Sequence, residues 1–271
     1  MLSIVIPSFK DPLLQRTVDE ILEKAEGEIE IIVVLDGYTP EKPLKENPRV
    51  RVLKFEENQG MRAAINFGLS ASQGEYVMKT DEHCSFDKGF DIKLLSNIED
   101  NWIVVPRRYR LDTEKWEIME DPIDYERLLT DRPDKIGGVQ WGKRALERKD
   151  ILLDETMVFQ GSCWVMSRKH WNFLGGLQQE GYGKFAQEAI EIALKTWLSG
   201  GKVMVNKNTW YAHKHRKFGR PYRTNSPEID AGNKYSMNFW LNNRWEQRTH
   251  DLEWLMKRFG LRFRKFEGEK T

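Results

Sequence analysis

Residues 58–84 read NQGMRAAINFGLSASQGEYVMKTDEHC, and this stretch decides the fold. Apolar residues recur at helical spacing over residues 61–72, which predicts a helix there. Residues 75–79 then form a short run that suits a strand, and Thr80-Asp81-Glu82-His83 follows directly. The stretch therefore predicts one helix-to-strand step of a sheet, with a carboxylate and an imidazole at the end of the strand.

Earlier runs extend this pattern toward the N-terminus. LSIVI at 2–6 and EIIVVL at 30–35 are β-branched runs separated by helical spacing over 13–25, and a third run spans 50–55. The alternation predicts an α/β fold with a single, mostly parallel sheet flanked by helices. Ligands of such sheets bind beyond the carboxyl ends of the strands. The polar strand ends are therefore predicted to converge; they are Pro7 to Lys10, Asp36-Gly37 and Asp81 to His83.

The rest of the chain has a less regular order of elements. The pattern predicts strands over 102–106, 156–167 and 203–212, helices over 168–174 and 188–199, and one or two amphipathic helices from 229 onward. Residues 107–155 are polar with little periodicity, and they either shape an acceptor site or form a variable surface insertion. We therefore expect one domain over 1–223, made of the halves 1–106 and 156–223 around the excursion 107–155. Residues 224–271 are predicted to be a basic, aromatic, helical C-terminal extension.

Charge is distributed unevenly along the chain. The whole chain carries a formal net charge of +1, but residues 202–271 carry +9 and residues 1–201 carry −8. Residues 202–223 contain seven Lys or Arg and no carboxylate. Such a segment suits either an anionic partner, such as a diphosphate or a nucleic acid, or a solvated basic face.

Composition excludes several classes of protein. No apolar run approaches the roughly 20 residues that a spanning helix requires, which excludes an integral membrane protein. The first residues lack the basic segment of a secretory signal, and Cys84 and Cys163 have no CxxC spacing. We therefore expect reduced cysteines, no obligate protein partner and a cytoplasmic location, which would be the host cytoplasm if the protein is phage-encoded.

The Asp81-Glu82-His83 triplet is the sharpest local motif. A carboxylate and an imidazole two residues apart in an extended loop can bind one divalent ion, although a surface loop with a capping aspartate explains the same triplet. The context favours the metal, because an Asn-x-Gly-x-x-x-Ala-x-Asn run at 58–66 and an Asp-Gly at 36–37 precede the triplet.

Together these segments resemble the nucleotide-binding half of GT-A fold glycosyltransferases. The motifs are most similar to those of the polypeptide N-acetylgalactosaminyltransferases, whose metal motif is also Asp-x-His. FQGSCWVMSRKHWNFLGG at 159–176 resembles their donor-sugar segment, and QEAIEIALKTWLSGG at 187–201 resembles their Glu-Asn-x-Glu helix. YAHKHRKFG at 211–219 resembles their Gly-His-x-x-Arg. The resemblance implies a UDP-sugar donor and covers most of residues 1–223, with no lectin-like domain after it.

The resemblance also implies roles for individual residues. The implied ligands of Mn2+ or Mg2+ are Asp81, His83 and His213. The implied nucleotide contacts are Pro7, Ser8, Phe9, Asp36, Asn58, Arg62, Thr80 and Glu82. The implied donor-sugar or acceptor contacts are Gly161, Ser162, Trp164, Phe185, Gln187 and Tyr222. The implied catalytic residues are Glu188, Glu191 and Arg216, with Arg216 on the diphosphate. Two alternatives stay open: Trp164 and Phe185 suit a sugar face or an ordinary core, and His213 suits a ligand or a basic-loop residue.

Ala189 bears on the stereochemistry of the predicted transfer. Inverting GT-A enzymes commonly carry an Asp after the acidic residue at this helix start, as the base for the acceptor hydroxyl. Alanine cannot take a proton, which favours retention of anomeric configuration, with Glu188 orienting hydroxyls. Glu188 or Glu191 could still serve as that base.

The donor sugar and the acceptor are less constrained than the fold. We expect a hexose donor, with UDP-glucose preferred. Basic residues interleaved with aromatics at 106–110, 216–223 and 258–266 make DNA that contains 5-hydroxymethyl-pyrimidines a leading candidate acceptor. This resembles small transferases encoded by tailed bacteriophages. The alternatives are a polysaccharide, lipid-linked sugar or protein hydroxyl acceptor, or a non-catalytic module that binds a sugar nucleotide or a nucleic acid.

Overall fold

The computed structural model describes residues 1–129, 136–219 and 226–262. The first half alternates strands and helices. Its elements in chain order are β1 (Leu2–Ser8), α1 (Leu14–Lys24), β2 (Ile29–Asp36), β3 (Val50–Phe55), α2 (Met61–Ala71), β4 (Tyr76–Thr80), β5 (Cys84–Phe86) and α3 (Phe90–Leu95).

The second half contains longer and more irregular elements. They are β6 (Trp102–Asp112), β7 (Glu117–Ile123), β8 (Glu126–Leu128), β9 (Gly138–Gln140), α4 (Gly142–Glu147), β10 (Leu153–Glu155), β11 (Cys163–Ser167), α5 (Arg168–Leu174), α6 (Glu188–Leu198), β12 (Lys202–Lys214), a 3-10 turn (Arg216–Phe218), α7 (Pro227–Leu241) and α8 (Leu252–Arg258). None of these described helices is long and apolar enough to span a membrane.

One central sheet organises these elements. Its strand order is β10-β12-β6-β11-β4-β1-β2-β3, with β5 paired to β12 and β7 paired to β6. The strands β1 to β4 run parallel, β6 and β12 run parallel to each other in the same direction, and β11 is antiparallel between the two groups. The predicted α/β architecture with a mostly parallel sheet is confirmed. The carboxyl ends of β1, β2 and β4 meet at one edge, as this topology requires.

Both faces of the sheet are buried, which explains the continuous apolar runs of its central strands. Alternate residues of β1 enter different cores: Val5 belongs to the core that contains α2 and α6, whereas Ile4 and Ile6 belong to the core that contains α1 and α3. The C-terminal helices are part of the first core, because Trp240 of α7 and Leu255 of α8 are fully buried in it. The described part of the predicted extension, residues 226–262, therefore contains two helices that pack into the main body.

The polar excursion differs from its sequence pattern. The strand predicted over 102–106 continues as β6 to Asp112, so the expected boundary at 107 falls inside a strand. Residues 107–155 also contain β7, β8, β9, α4 and β10. All residues of strand β7 are exposed or half-buried, so its sequence does not alternate between apolar and polar residues. That alternation is the pattern from which a strand is predicted, and without it β7 could not be recognised.

A bulge in β12 sets the position of the residues that follow it. Asn206 pairs with Pro106 of β6, but the next pair is Trp210 with Arg107. Three residues of β12 are therefore looped out. Beyond the bulge, β12 pairs with β5, and His213 lies opposite Cys84.

Candidate active site

Three side chains from two distant segments meet at the carboxyl edge of the sheet. Nε2 of His213 lies 3.0 Å from Oδ2 of Asp81 and 3.0 Å from Nε2 of His83. The ligand atoms of the three residues all lie within 4.8 Å of one another, so this group could hold a metal ion. We call Asp81, His83 and His213 the triad. It contains one carboxylate and two imidazoles, a mixed oxygen and nitrogen set that suits Mn2+.

The imidazoles of the triad are prepared for ligation. Nδ1 of His83 lies 3.1 Å from Oδ2 of the fully buried Asp11, so this ring can donate its proton there and turn its Nε2 toward the triad. Burial lowers the pKa of His213 to about 4, against the opposing effect of Asp81, so the ring is neutral at physiological pH. Neutral imidazoles are the form that metals bind.

Lys79 of β4 is a buried cation beside the triad. Its ammonium donates to Oδ1 of Asp81 at 2.5 Å and to the carbonyl of Gly161 at 2.6 Å, and it lies 3.5 Å from Oε2 of Glu188. Burial would raise the pKa of Asp81, but Lys79 and His213 outweigh it and hold that pKa well below its usual range. Lys79 therefore keeps Asp81 ionised and occupies one of its oxygens, which leaves Oδ2 facing the histidines.

One cavity, of about 200 Å³, lies on the β1 and β2 side of the triad. We call it the nucleotide-side cavity. Six of the eight predicted nucleotide residues line it: Pro7, Ser8, Phe9, Asp36, Asn58 and Glu82.

Two carboxyl groups shape the wall of the nucleotide-side cavity. Asp36 accepts from the backbone N–H groups of Gln59 and Gly60 at 2.6 and 2.8 Å, and from Nδ2 of Asn58 at 2.8 Å. Glu82 accepts from the backbone N–H of Phe9 at 3.1 Å. Burial raises the pKa of Glu82 to about 8, so it is protonated at neutral pH and can donate a hydrogen bond.

A second cavity, of about 290 Å³, lies on the other side of the triad. We call it the sugar-side cavity. Besides Asp81 and His213 of the triad, the predicted residues that line it are Gly161, Ser162, Phe185, Gln187 and Glu188. Asp81 and Phe185 line both cavities, so the two meet at the triad.

Glu188 is held rigidly at the wall of the sugar-side cavity. Its Oε1 accepts from Nε1 of Trp164 at 2.6 Å, and its Oε2 faces Lys79. A Cβ on Gly161 would lie 2.4 Å from Oε2 of Glu188, so a larger residue at 161 would displace this carboxylate from its present position. Each carboxylate oxygen accepts more than one hydrogen bond, so Glu188 can still accept from a ligand hydroxyl.

Arg62 and Glu191 are predicted site residues that line neither of these two cavities. Arg62 and Glu191 are each 1% exposed and form an ion pair with each other. Glu191 also pairs with Lys195 at 2.7 Å, and Arg62 donates to the carbonyl of Ala186 at 2.8 Å and stacks on Tyr182. The structure therefore gives this pair a role in the core, in contrast to the predicted nucleotide and catalytic roles, because each charge is fully occupied by a buried partner.

The remaining predicted residues have varied positions. Trp164 is fully buried and stacks on Trp171 with ring centroids 5.6 Å apart, so it is core, the alternative that the sequence left open. Thr80 is buried and donates to the carbonyl of Ser162 at 3.2 Å, beneath the site. Arg216 lies in the exposed 3-10 turn beyond β12. Tyr222 lies outside the described residues.

Lys79 and Asp11 belong to this site but were missed by the sequence analysis. The strand run ended at Lys79, so its side chain gave no sign of pointing inward. A charged residue two positions before Asp81 shares its face of an extended chain, and this spacing is the signal that was available.

Residues 3–173 match the family model described as Glycosyl transferase family 2. The chain belongs to this family. Among curated relatives, polypeptide N-acetylgalactosaminyltransferase 10 from Mus musculus is 27% identical over 82% of this chain and 38% of the relative. Polypeptide N-acetylgalactosaminyltransferase 12 from the same organism is 24% identical over 78% of this chain and 39% of the relative. The chain thus spans about two fifths of the length of these relatives.

A solved structure supports the fold of this glycosyl transferase family 2 chain. The crystal structure of GalNAc-T7 with UDP, GalNAc and Mn2+ matches with a TM-score of 0.73 at 21% identity, over 90% of this chain and 48% of that one. The predicted GT-A architecture and the predicted likeness to the N-acetylgalactosaminyltransferases are confirmed.

Proposed function

We propose that this protein is a metal-dependent glycosyltransferase that moves a sugar from a UDP-sugar to an acceptor hydroxyl. The observation that carries the proposal is the position of the triad at the junction of two cavities. A nucleotide on one side and a sugar on the other would put the bond between them, the one that transfer breaks, beside Asp81, His83 and His213. Family membership supports the reaction class.

The residues of the triad suit a divalent ion such as Mn2+, the ion named with the GalNAc-T7 structure. Asp11 orients one imidazole, burial keeps the other neutral, and Lys79 keeps the carboxylate ionised. When bound, the ion would neutralise negative charge on the departing nucleoside diphosphate. Arg216 would add positive charge to the same oxygens, as the Gly-His-x-x-Arg resemblance implies.

The nucleotide-side cavity would bind the uridine. Asp36 and the neutral Glu82 supply one fixed acceptor and one donor, and the rings of Phe9 and Phe185 supply apolar surface. This combination suits a base and a ribose, which carry both donors and acceptors.

The sugar-side cavity would bind the hexose. Glu188 would accept from its hydroxyls, and Trp164 and Lys79 would fix the orientation of that carboxylate. We propose retention of configuration, since Ala189 carries no base and Glu188 is assigned to orienting the hydroxyls of the sugar. UDP-glucose and an acceptor DNA with hydroxymethyl-pyrimidines are the specific donor and acceptor that we propose to test.

The test combines metal binding and UDP release. Wild-type protein is titrated with Mn2+, followed by electron paramagnetic resonance, and then supplied with UDP-Glc, UDP-Gal, UDP-GalNAc or UDP-GlcNAc while UDP release is measured. The variant His213→Ala removes a triad ligand. The control His250→Ala removes a histidine that stacks on Trp254 in the C-terminal region, away from the triad.

We expect Mn2+ binding and Mn2+-dependent UDP release in the wild type and in His250→Ala, and a loss of both in His213→Ala. Faster release when hydroxymethylated DNA is added would support that acceptor, and the anomeric proton coupling of the product would report retention or inversion. If Mn2+ and UDP-sugars bind but no donor gives release or transfer, the protein is a binding module instead.

A further inference from the structure

A third cavity, of about 420 Å³, opens beside the triad on the side away from the nucleotide-side cavity. We call it the basic cavity. Its described lining contains three guanidinium or imidazole groups on or near β12, two arginines of β6, one lysine and two glutamines, and no carboxylate. These residues are Arg108, Arg110, Gln140, Gln160, His213, Lys214, His215 and Arg216.

The basic cavity joins two segments that are about a hundred residues apart in the sequence. The basic run at 106–110 lies in β6, and the basic run at 211–217 begins in the parallel strand β12 and continues into the 3-10 turn. Arg108 pairs with Tyr211 and Arg110 with His213. Side chains alternate along a strand, so residues two apart lie on one face. Arg108 and Arg110 therefore share a face, and the strand pairing concentrates positive charge next to a triad residue.

The arginines of the basic cavity keep spare hydrogen-bond donors, although each pairs with a carboxylate. Arg108 pairs with Glu126, Arg110 pairs with the half-exposed Glu120, and Lys214 lies 3.2 Å from Asp11. A guanidinium has five N–H donors, and one carboxylate can accept at most two of them in a bidentate pair. The arginines can therefore bind a further anion without losing these partners.

We propose that the basic cavity binds a phosphate group of the acceptor, held by Arg108 and Arg110. This proposal rests on the proposed function, because it assigns the acceptor side of the same site. Several converging N–H donors and a volume of about 420 Å³ suit a tetrahedral phosphate ester or diester better than a single small carboxylate.

The position of the basic cavity fits an acceptor site. Gln160 and His213 line both the basic cavity and the sugar-side cavity. A phosphate in the basic cavity and a hexose in the sugar-side cavity would therefore lie on either side of Gln160 and His213. The nucleotide-side cavity shares no described lining residue with the basic cavity. Of the cationic or imidazole groups of the basic cavity, the proposed function places His213 and Arg216 beside the donor diphosphate, which leaves Arg108 and Arg110 for a phosphate of the acceptor.

The experiment measures binding of two fluorescent phosphodiester probes by anisotropy, over a series of salt concentrations. One probe is a duplex DNA oligonucleotide and the other is a short poly(glycerol phosphate) chain, so the two arms distinguish the sources of the same chemical group. Each titration is run without and with saturating UDP and Mn2+.

Three variants test the assignment from opposite directions. Arg110→Gln removes a proposed contact, and we expect roughly tenfold weaker binding. The slope of the logarithm of the binding constant against the logarithm of the salt concentration (the salt slope) should fall in magnitude by about one. Glu120→Gln removes the exposed carboxylate beside Arg110, and we expect severalfold tighter binding. Arg51→Gln is the matched control, because Arg51 is also a strand arginine paired with one glutamate, on the β3 edge of the sheet.

Unchanged affinity and salt slope in both Arg110→Gln and Glu120→Gln would overturn the proposal. Because Glu120 is exposed, its variant remains informative if Arg110→Gln folds poorly. Displacement of either probe by UDP and Mn2+ would also overturn it, since the cavity would then belong to the donor diphosphate. A protein that binds the probes through Arg110 but neither Mn2+ nor UDP would contradict the proposed function while leaving the basic cavity as a phosphate site.

Discussion

Glu188 and Glu191 occupy the same first turn of α6, yet they serve different regions of the molecule. Glu188 faces Lys79 at the wall of the sugar-side cavity, whereas Glu191 is enclosed by Arg62 and Lys195 in the core. Both are almost completely buried. The difference lies in their partners: Lys79 connects one carboxylate to the triad, and Arg62 connects the other to α2. A buried glutamate at a helix start is therefore assigned to a site by what it contacts, and burial alone does not distinguish the two.

The largest expected effect is a difference in protein stability between variants of the two glutamates. Glu191→Gln leaves the cations of Arg62 and Lys195 without their shared carboxylate inside the core. We expect the free energy of unfolding to fall by about 3–5 kcal/mol, measured by urea denaturation. Glu188→Gln should cost less, because Lys79 keeps Asp81 as a partner. Equal losses in the two variants would contradict the distinction.

The second prediction separates them by activity. Glu188→Gln replaces the carboxylate that accepts hydrogen bonds from hexose hydroxyls in the sugar-side cavity with a weaker, neutral hydrogen-bond acceptor. We expect kcat/KM for UDP release to fall about 100-fold, with Mn2+ binding retained because the triad is intact. Glu253→Gln is the control, since Glu253 is an exposed glutamate in the first turn of α8. Activity of Glu188→Gln within twofold of that control would exclude Glu188 from the reaction.

The third prediction concerns the residue that fixes Glu188. Trp164→Phe keeps an aromatic ring in the core but removes the N–H that donates to Oε1 of Glu188. We expect a loss of about 1.5 kcal/mol in the free energy of unfolding together with a severalfold loss of activity. Trp171→Phe alters the other ring of the same stack, and we expect it to leave activity nearly unchanged. Equal activities in the two tryptophan variants would show that the hydrogen bond to Glu188 is dispensable.

The smallest expected effect is a pH dependence. Burial raises the pKa of Glu188 above its ordinary value, although Lys79 and Trp164 oppose the shift. The native state then binds this proton more tightly than the unfolded state, so the associated stability is present below the unfolded pKa and is lost as pH rises through the raised pKa. Glu188→Gln should therefore flatten the dependence of the free energy of unfolding on pH, measured by unfolding in the presence of a chelator from pH 4 to pH 8. The same pH dependence of the free energy of unfolding in the wild type and in Glu188→Gln would contradict this prediction.

The sequence predicted the order of elements in the first half of the fold well, because its central strands β1, β2 and β4 are largely buried and give continuous apolar runs. Two elements have the predicted bounds: strand β3 (Val50–Phe55) in the first half and helix α5 (Arg168–Leu174) in the second. The excursion was less predictable, since β7 follows neither helical nor strand periodicity. Backbone pairing with β6 holds β7 in the sheet, although the side chains of β7 show no strand pattern.

The site was predictable where residues lie at strand ends, and less so where charges pair over long distances. Asp81, His83 and His213 were expected to meet, and they do. The partnership of Arg62 with Glu191 joins residues 129 positions apart, and nothing local in the sequence indicates it. The assignments of site residues to substrate contacts stay predictions, for which the experiments above are designed.

The bulge in β12 has a consequence for how this gene can vary. Between Asn206 and Trp210, three looped-out residues carry the strand past Pro106 before pairing resumes. An in-frame deletion of those three codons would join Asn206 directly to Trp210, and their partners Pro106 and Arg107 are already adjacent, so His213 would keep its place opposite Cys84. A single deletion between Trp210 and His213 would instead shift the register by one and turn His213 to the other face of the sheet. In a deep mutational scan we therefore expect the exposed Asn208 to accept many amino acids and the buried Lys207 and Thr209 to accept few. We expect the joint deletion of residues 207–209 to be tolerated better than any single deletion between Trp210 and His213.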